Sequence, residues 1–419
     1  MKAGVDQHPN AVEGVIVVRI AAVAMAVIAL VASATGAAAA VGGATSATCD
    51  GLWQVVPTVD HSTQSGEIDT LNSVAARSST DQWAVGSWTK YPEDYHFHTL
   101  VEHWDGAVAG WTSVPSPNLS VDTALYGVTA LAFDNVWAVG GAVFEPYQGV
   151  AEHWDGTSWS IVPSASFPGI LYGVVALGPN NIWAVGTRSY PGPMLIEHWD
   201  GNSWTASYQL VAGRFGGNLR SITALGPNDI WATGYYWGAG GVEYTLTMHF
   251  NGHVWRQVQS PSPLTAFEED QNWLTSVTAA APNDVWAAGF DRGADSPQTS
   301  TAGRTLITHW NGSRWSIVPS PDPSSTNGNS LWGVTAVSAS NVWAVGINGG
   351  VLDTYSSSTP LVAQWNGSTW TQASAAGSGG LFSVAAEPGG AGISAVGDVL
   401  KPAVPSDYIG TLAEHRCPA

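Results

Sequence analysis

The chain is expected to be all-β, built from repeated four-stranded units, and three observations carry that expectation. The first is a recurring segment whose clearest copy is Val136 to Ser164, VWAVGGAVFEPYQGVAEHWDGTSWSIVPS. Its short apolar and aromatic runs, cut by Gly, Pro, Asn and Asp, read as strands. The second is the period. The Trp of this segment recurs at Trp83, Trp137, Trp183, Trp231, Trp286 and Trp343, with Ser394 as a degenerate copy, at intervals of 46 to 57 residues. Such spacing suits four strands per repeat, and a unit that cannot bury its own faces must stack on its neighbours. The third is composition: 48 Gly, 24 Pro and 22 Trp with 11% charged residues favour short strands and many turns over long helices. Together they predict a seven-bladed β-propeller with four antiparallel strands per blade.

Taken in order, residues 1–45 read as a signal peptide or an N-terminal anchor. Lys2 and Arg19 precede an apolar run from Ile20 to Val31, and Ala37 to Ala40 supply small residues suited to cleavage. Gly14 to Ala40 is also long enough to span a bilayer uncleaved. Residues 46–419 form the propeller, with blades near 71–117, 124–165, 170–209, 218–263, 273–323, 330–376 and 380–417. Each unit opens on a strand such as Leu125 to Ala130, turns at a Pro-Asn-Asp-like site, and runs through the Trp strand to a loop of uneven length. In the copy at Val136, Gly140-Gly141 is expected to end the second strand. The last two strands flank Asp-Gly or Asn-Gly, pairs that tolerate the positive φ of a hairpin turn.

The seventh unit stops after its third strand, Thr411 to Arg416. Its missing strand lies at the other end, where Asp50-Gly51-Leu52-Trp53-Gln54-Val55-Val56-Pro57 repeats the turn and last strand. Residues 49–58 are therefore expected to complete the last blade and close the ring, removing two sheet edges. The two cysteines, Cys49 and Cys417, fall at that split hairpin, and export favours a disulfide between them.

A formal charge of −19, with Lys only at positions 2, 90 and 401, repels phosphate backbones and makes nucleic acid an unexpected partner. No polybasic run flanks the apolar segment, so membrane contact is expected only through an uncleaved N-terminus.

The order aromatic-Ala-Val-Gly-Gly, loop, Val-x-x-Trp-Asp, Trp-x-x-Val-Pro resembles the kelch motif of kelch and galactose-oxidase-type propellers, over residues 49–419. The double glycine is present only at Gly140-Gly141, and the turn is Asp-Gly rather than Asp-Pro. The resemblance implies the fold; such propellers include both binders and enzymes. Galactose-oxidase relatives use two His, two Tyr and a Cys joined to one Tyr, a set without a counterpart here.

Glu-His recurs at Glu102-His103, Glu152-His153, Glu197-His198 and Glu414-His415, with His249 and His309 at equivalent sites and Gln364 replacing one His. Equivalent residues in different blades lie too far apart to share an ion, so these histidines are read as structural, bonding a neighbouring blade's backbone. His96 and His98 have the only metal-like spacing and remain weak copper or zinc candidates. No cofactor is expected.

Function should sit where the copies differ. The long loops hold Ser87 to Thr99, Phe144 to Tyr147, Arg188 to Pro191, Tyr235 to Trp237, Phe267 to Asp270, Phe290 to Arg292 and Asp353 to Tyr355. Their aromatics, including Tyr91, Tyr95, Tyr147, Tyr190 and Trp237, are candidate ligand contacts. A finer signal lies in the first strand, whose template is Leu-x-(Gly/Ser)-(Val/Ile). Position x is Asn72, Tyr126, Tyr172, Arg220, Thr275, Trp332 and Phe382, unlike side chains in a constant frame. The expected function is an exported, monomeric, non-catalytic scaffold that recognises an extracellular glycan or protein on its long-loop face. The alternatives are a secreted carbohydrate-active oxidase, lyase or hydrolase at the same funnel, with Glu268, Glu269 and Asp270 as the nearest carboxylates, and a structural envelope protein.

Overall fold

The computed structural model describes residues 51–417 except 63–65, 91–93, 107–108, 120–121, 145–146, 165–167, 189–191, 210–215, 264–269, 294–302, 325–327, 350–357, 391 and 402–406. Residues 1–50, with the expected leader and Cys49, lie outside this set. The chain is all-β, in four-stranded antiparallel units. A short strand β1 (Trp53–Val55) comes first. Unit 1 is β2 (Asp69–Ser78), β3 (Asp81–Lys90), β4 (Asp94–Trp104) and β5 (Thr112–Ser113); unit 2 is β6 (Thr123–Ala132), β7 (Asn135–Ala142), β8 (Gly149–Trp154) and β9 (Trp159–Val162). Unit 3 comprises β10 (Ile170–Gly178), β11 (Asn181–Thr187), β12 (Met194–Trp199) and β13 (Trp204–Gln209). Unit 4 comprises β14 (Gly217–Gly226), β15 (Asp229–Trp237), β16 (Glu243–Phe250) and β17 (Trp255–Val258). β18 (Gln271–Ala281), β19 (Asp284–Arg292), β20 (Arg304–Trp310) and β21 (Trp315–Val318) make unit 5; β22 (Asn329–Ser338), β23 (Asn341–Asn348), β24 (Thr359–Trp365) and β25 (Trp370–Ala373) make unit 6. The last, unit 7, orders β1-β28-β27-β26, from β26 (Gly380–Ala386), β27 (Ile393–Lys401) and β28 (Tyr408–Arg416). Trp53 pairs with Arg416 and Val55 with Glu414, so the N-terminal strand is the fourth strand of that unit, as its sequence anticipates. A parallel bridge from Glu243 to Gln271, which the repeat pattern does not announce, joins units 4 and 5.

The cores lie between units. Val185 and Ile196 of unit 3 pack with Leu219, Ile230 and Trp255 of unit 4, and Leu71, Val74 and Leu100 of unit 1 with Val396 and Ala413 of unit 7. In six instances a fourth-strand Trp meets the second-strand Trp of the preceding unit edge to face. Examples are Trp159 on Trp83 at 5.4 Å, Trp315 on Trp231 at 5.5 Å and Trp53 on Trp343 at 5.8 Å. Edge-to-face geometry follows the indole quadrupole and adds about 1 kcal/mol to the burial of each ring pair. Among the described residues the indole N–H groups of Trp53, Trp159, Trp204, Trp255, Trp315 and Trp370 have no conventional acceptor, which suits an edge directed at a π face. Where Ser394 replaces the second-strand Trp, Trp111 packs on Trp104 instead.

The Asp-Gly and Asn-Gly turns hold their glycines at positive φ, from 75° at Gly51 to 97° at Gly201. The connections are four-residue loops in which the Asp side chain turns inward: Asp155 Oδ1 accepts from the backbone N–H of Thr157 (2.8 Å) and Ser158 (2.9 Å).

Two local expectations change. β7 runs through Gly140-Gly141 to Ala142, so the double glycine does not end the strand. Ser87 to Thr99, Tyr235 to Trp237 and Phe290 to Arg292, expected as loops, are largely strand, because second strands continue past the glycine and stay paired with third strands.

Candidate functional site

Position x has a specific backbone cause. In every unit the register between first and second strand slips by one residue at that position: Leu71/Ser73, Leu125/Gly127, Leu171/Gly173, Leu219/Ser221, Leu274/Ser276, Leu331/Gly333 and Leu381/Ser383. Asn72, Tyr126, Tyr172, Arg220, Thr275, Trp332 and Phe382 are thus the unpaired residues of seven β-bulges. A bulge re-aims one side chain while leaving the ladder on either side intact. The glycine opposite permits it. A Cβ on Gly140 would stand 1.9 Å from the carbonyl oxygen of Ala124, and one on Gly86 1.8 Å from that of Thr70. The Gly of the repeated Trp-Ala-Val-Gly run is therefore the seat of the bulge rather than a strand terminator.

The residue after x brings neighbouring first strands together. Ser73 Oγ accepts from Val128 N–H (3.3 Å), Ser221 from Val277 (3.2 Å), Ser276 from Val334 (3.1 Å) and Ser383 from Val74 (3.2 Å). Where that residue is Gly127, Gly173 or Gly333, a Cβ would meet the next first strand at 2.8 to 3.1 Å. The frame therefore holds Gly where a Cβ would crowd the next strand and Ser where its hydroxyl bonds that strand, while x is free to vary.

The bulge side chains touch one another from unit to unit. Tyr126 and Tyr172 lie 5.2 Å apart, the Arg220 guanidinium sits 4.4 Å over the Tyr172 ring, and Trp332 meets Phe382 edge to face at 6.1 Å. Asn72 donates to the carbonyl of Leu125 (2.8 Å), and Thr275 Oγ1 to that of Leu331 (2.9 Å). Tyr172 and Thr275 are buried, whereas Asn72, Tyr126, Arg220, Trp332 and Phe382 keep part of their surface open.

Beside this row Tyr235, Trp237 and Phe290, expected in long loops, form an aromatic cluster with Trp273, which the sequence pattern did not single out, and with Trp332 against it. Tyr235 and Trp273 stack at 4.2 Å, 4° from parallel. Buried Glu243 accepts from the indoles of Trp237 (3.0 Å) and Trp273. Burial pushes its carboxyl up to about 6, against the opposing pull of the two indoles and of Arg220. Trp237, expected as a surface ligand contact, is 5% exposed and committed to Glu243.

The other candidates separate. Tyr91 and Tyr190 lie outside the described residues, as does the side chain of Tyr95; Tyr147 is half-buried. His96 faces Asp122 at 3.2 Å while His98 stacks on Trp88 at 4.4 Å, and among the described residues no group of three metal-ligating side chains forms. Glu268 and Glu269 are outside the described set; Asp270 is buried, with its backbone carbonyl accepting from Glu243 N–H.

The repeated histidines are structural, with a different partner from the one expected. Five of the six bond the turn residue of their own unit, not a neighbouring backbone: His103 to Asp81 (3.0 Å), His153 to Asn135 (3.1 Å), His198 to Asn181 (2.9 Å), His249 to Asp229 (2.8 Å) and His309 to Asp284 (2.7 Å). His415 meets Ser394 Oγ instead, at 3.0 Å. Gln364 replaces the imidazole by donating to Asn341 (3.0 Å). The contact between units belongs to the adjacent glutamates. Glu102 accepts from Val59 N–H, Glu197 from Ser164 Oγ, and Glu414 from Ala376 and Gly377 N–H, each donor lying just past the fourth strand of the preceding unit.

No protein family model and no curated protein matches the chain. Solved structures do. A YCF48 structure with a D1 peptide bound superposes with a TM-score of 0.51 at 15% identity, covering 88% of this chain and 97% of that one. YCF48 from Cyanidioschyzon merolae gives 0.52 at 17%, covering 87% and 98%. A polysaccharide lyase of the PL25 family, an ulvan lyase bound to -[GlcA(1-4)Rha3S]-, gives 0.53 at 10%, covering 79% and 89%. At these identities the likeness concerns the fold, which is a β-propeller.

Proposed function

We propose that this β-propeller is an exported, non-catalytic recognition scaffold that binds a glycan or protein ligand where its first strands meet. In this reading the units form one seven-bladed ring over residues 46–419, closed by β1, and position x lines the mouth of its central channel. The first-strand contact from Ser383 to Val74 and the pairing of β1 with β28 support the closure. An apolar N-terminal run and two cysteines support export, with membrane anchoring through an uncleaved leader as the variant.

The observation that carries the function is the bulge in every unit. A device that turns one side chain per blade out of the ladder, and fills those seven places with unlike residues, suits recognition better than blade construction. Construction would reuse one residue type, as the Trp and His positions do. Similar folds are seen with a peptide and with a saccharide bound, in keeping with either ligand class.

The test is retention on glycan and peptide arrays by the protein and by its Trp332→Ala and Tyr126→Ala variants, both partly exposed positions. Retention is expected to drop at least tenfold while the melting temperature shifts by about 2 °C or less. Melting that falls in step with retention would assign these rings to packing.

A further inference from the structure

We propose that Arg220 is the anion-recognising residue of this site, and that the ligand is a glycan carrying carboxylate or sulfate groups. This rests on the ligand-binding reading given above. The observation is an arginine without a counter-ion in a chain that has 32 acidic against 13 basic residues. Arg77 is bonded to Asp81, Arg304 to Asp291 and Lys401 to Asp60. Arg220 makes no hydrogen bond or ion pair to any described residue, and its Nε is buried without a partner. Its contacts are ring faces: Tyr172 at 4.4 Å and Trp273 at 5.4 Å from the guanidinium carbon.

The nearby carboxylate does not fill that role. The oxygens of Glu243 accept from the indole N–H groups of Trp237 and Trp273, and Arg220 acts on it through space without an ion pair. Two aromatic faces flank the fork and restrict its movement. A planar guanidinium so flanked matches the two oxygens of a carboxylate or sulfate, and ordering it beforehand reduces the entropy lost on binding. Tyr126, which adjoins Tyr172, offers a partly open ring on which the C–H face of a sugar can stack, and this favours a saccharide over a peptide.

Titration calorimetry on the full-length protein tests the assignment with four probes: a galacturonic acid hexamer, the same hexamer carboxyl-reduced, a sulfated galactan oligomer and an acidic hexapeptide. At least one anionic saccharide is expected to bind tenfold or more tightly than the reduced hexamer, and which one it is separates carboxylate from sulfate. Arg220→Met should bring that ratio below twofold, and Arg220→Lys should leave it intermediate. If Arg220→Met fails to fold, the wild-type ratio still decides. Equal binding of neutral and anionic hexamers overturns the role of Arg220 and leaves the recognition site standing. Binding of the peptide alone overturns the glycan assignment, and no binding of any probe counts against both readings.

Discussion

Glu152 is 0% exposed, and the Ser116 hydroxyl is the donor that works against the burial of its carboxyl. Burial pushes it up to about 8, as it does Glu102. The folded value exceeds the ordinary 4.5, so the folded chain holds this proton more tightly than the unfolded one. The resulting stability is full below about pH 4.5 and is lost as pH rises through about 8. His415 acts in the opposite sense: burial lowers it to about 4, so it costs stability as pH falls from 6.5 towards 4. The difference between wild type and Glu152→Gln isolates the carboxyl. The variant is expected to melt within about 1 °C of wild type at pH 4.5 and several degrees higher at pH 8.5, since a tenfold difference in proton affinity between folded and unfolded chain is worth about 1.4 kcal/mol. Parallel melting curves across that range would show that Glu152 ionises freely in the fold. The same scale explains why the bulge was only half legible. The variability of Arg220 and its equivalents is plain in the repeats. Its cause, a Gly whose Cβ would overlap a carbonyl, becomes visible only when two strands are paired.

At the scale of the element, β1 is three residues long yet carries much of unit 7. Trp53 is 6% exposed and packs in one cluster with Trp343, Leu381 and Leu412. Arg416 lies over the same Trp343 ring at 4.8 Å, in the place that other units give to a third-strand Trp or Phe. Beyond β1, Asp60 binds the chain to β27 and β28 through Lys401, the Tyr408 hydroxyl and Thr411 N–H. Trp53→Ala is expected to cost about 3–5 kcal/mol and to expose the N-terminal segment to proteases. A loss below about 1 kcal/mol in denaturant unfolding would mean that unit 7 stands without its fourth strand. Outer strands were legible here because their Trp residues and Asp-Gly turns are local signals. Second-strand ends were not, because Tyr235 to Trp237 and Phe290 to Arg292 extend the ladder only by packing on one another across units.

For the whole molecule, the proposed Cys49–Cys417 bond would join the two ends of the repeat array. Among the described residues no cysteine is free, and Cys417 directly follows β28. Intact mass with an alkylating reagent is expected to reveal no reactive thiol before reduction and two after it. Reduction, or Cys417→Ser, should lower the melting temperature, the chain-entropy contribution for so long a loop being roughly 5 kcal/mol. Two reactive thiols in the unreduced monomer would exclude the bond.

The sequence alone determined the all-β class, the four-strand unit, the pairing of the N-terminal strand with β28 and the structural role of the histidines. All of these rest on short-range patterns repeated along the chain, and repetition averages out the ambiguity of any one copy. Tertiary structure decided the partners. Only there do the histidines choose their own turn Asp or Asn, the buried glutamates reach back to the preceding unit, and Trp237 enter the core beside Glu243. Arg220 likewise stands among ring faces, with no ion pair to a described residue, only once units 3, 4 and 5 lie side by side. Trp237 and Glu243 are near in sequence, but the other contacts join residues 22 to 53 positions apart, which no single strand pattern encodes.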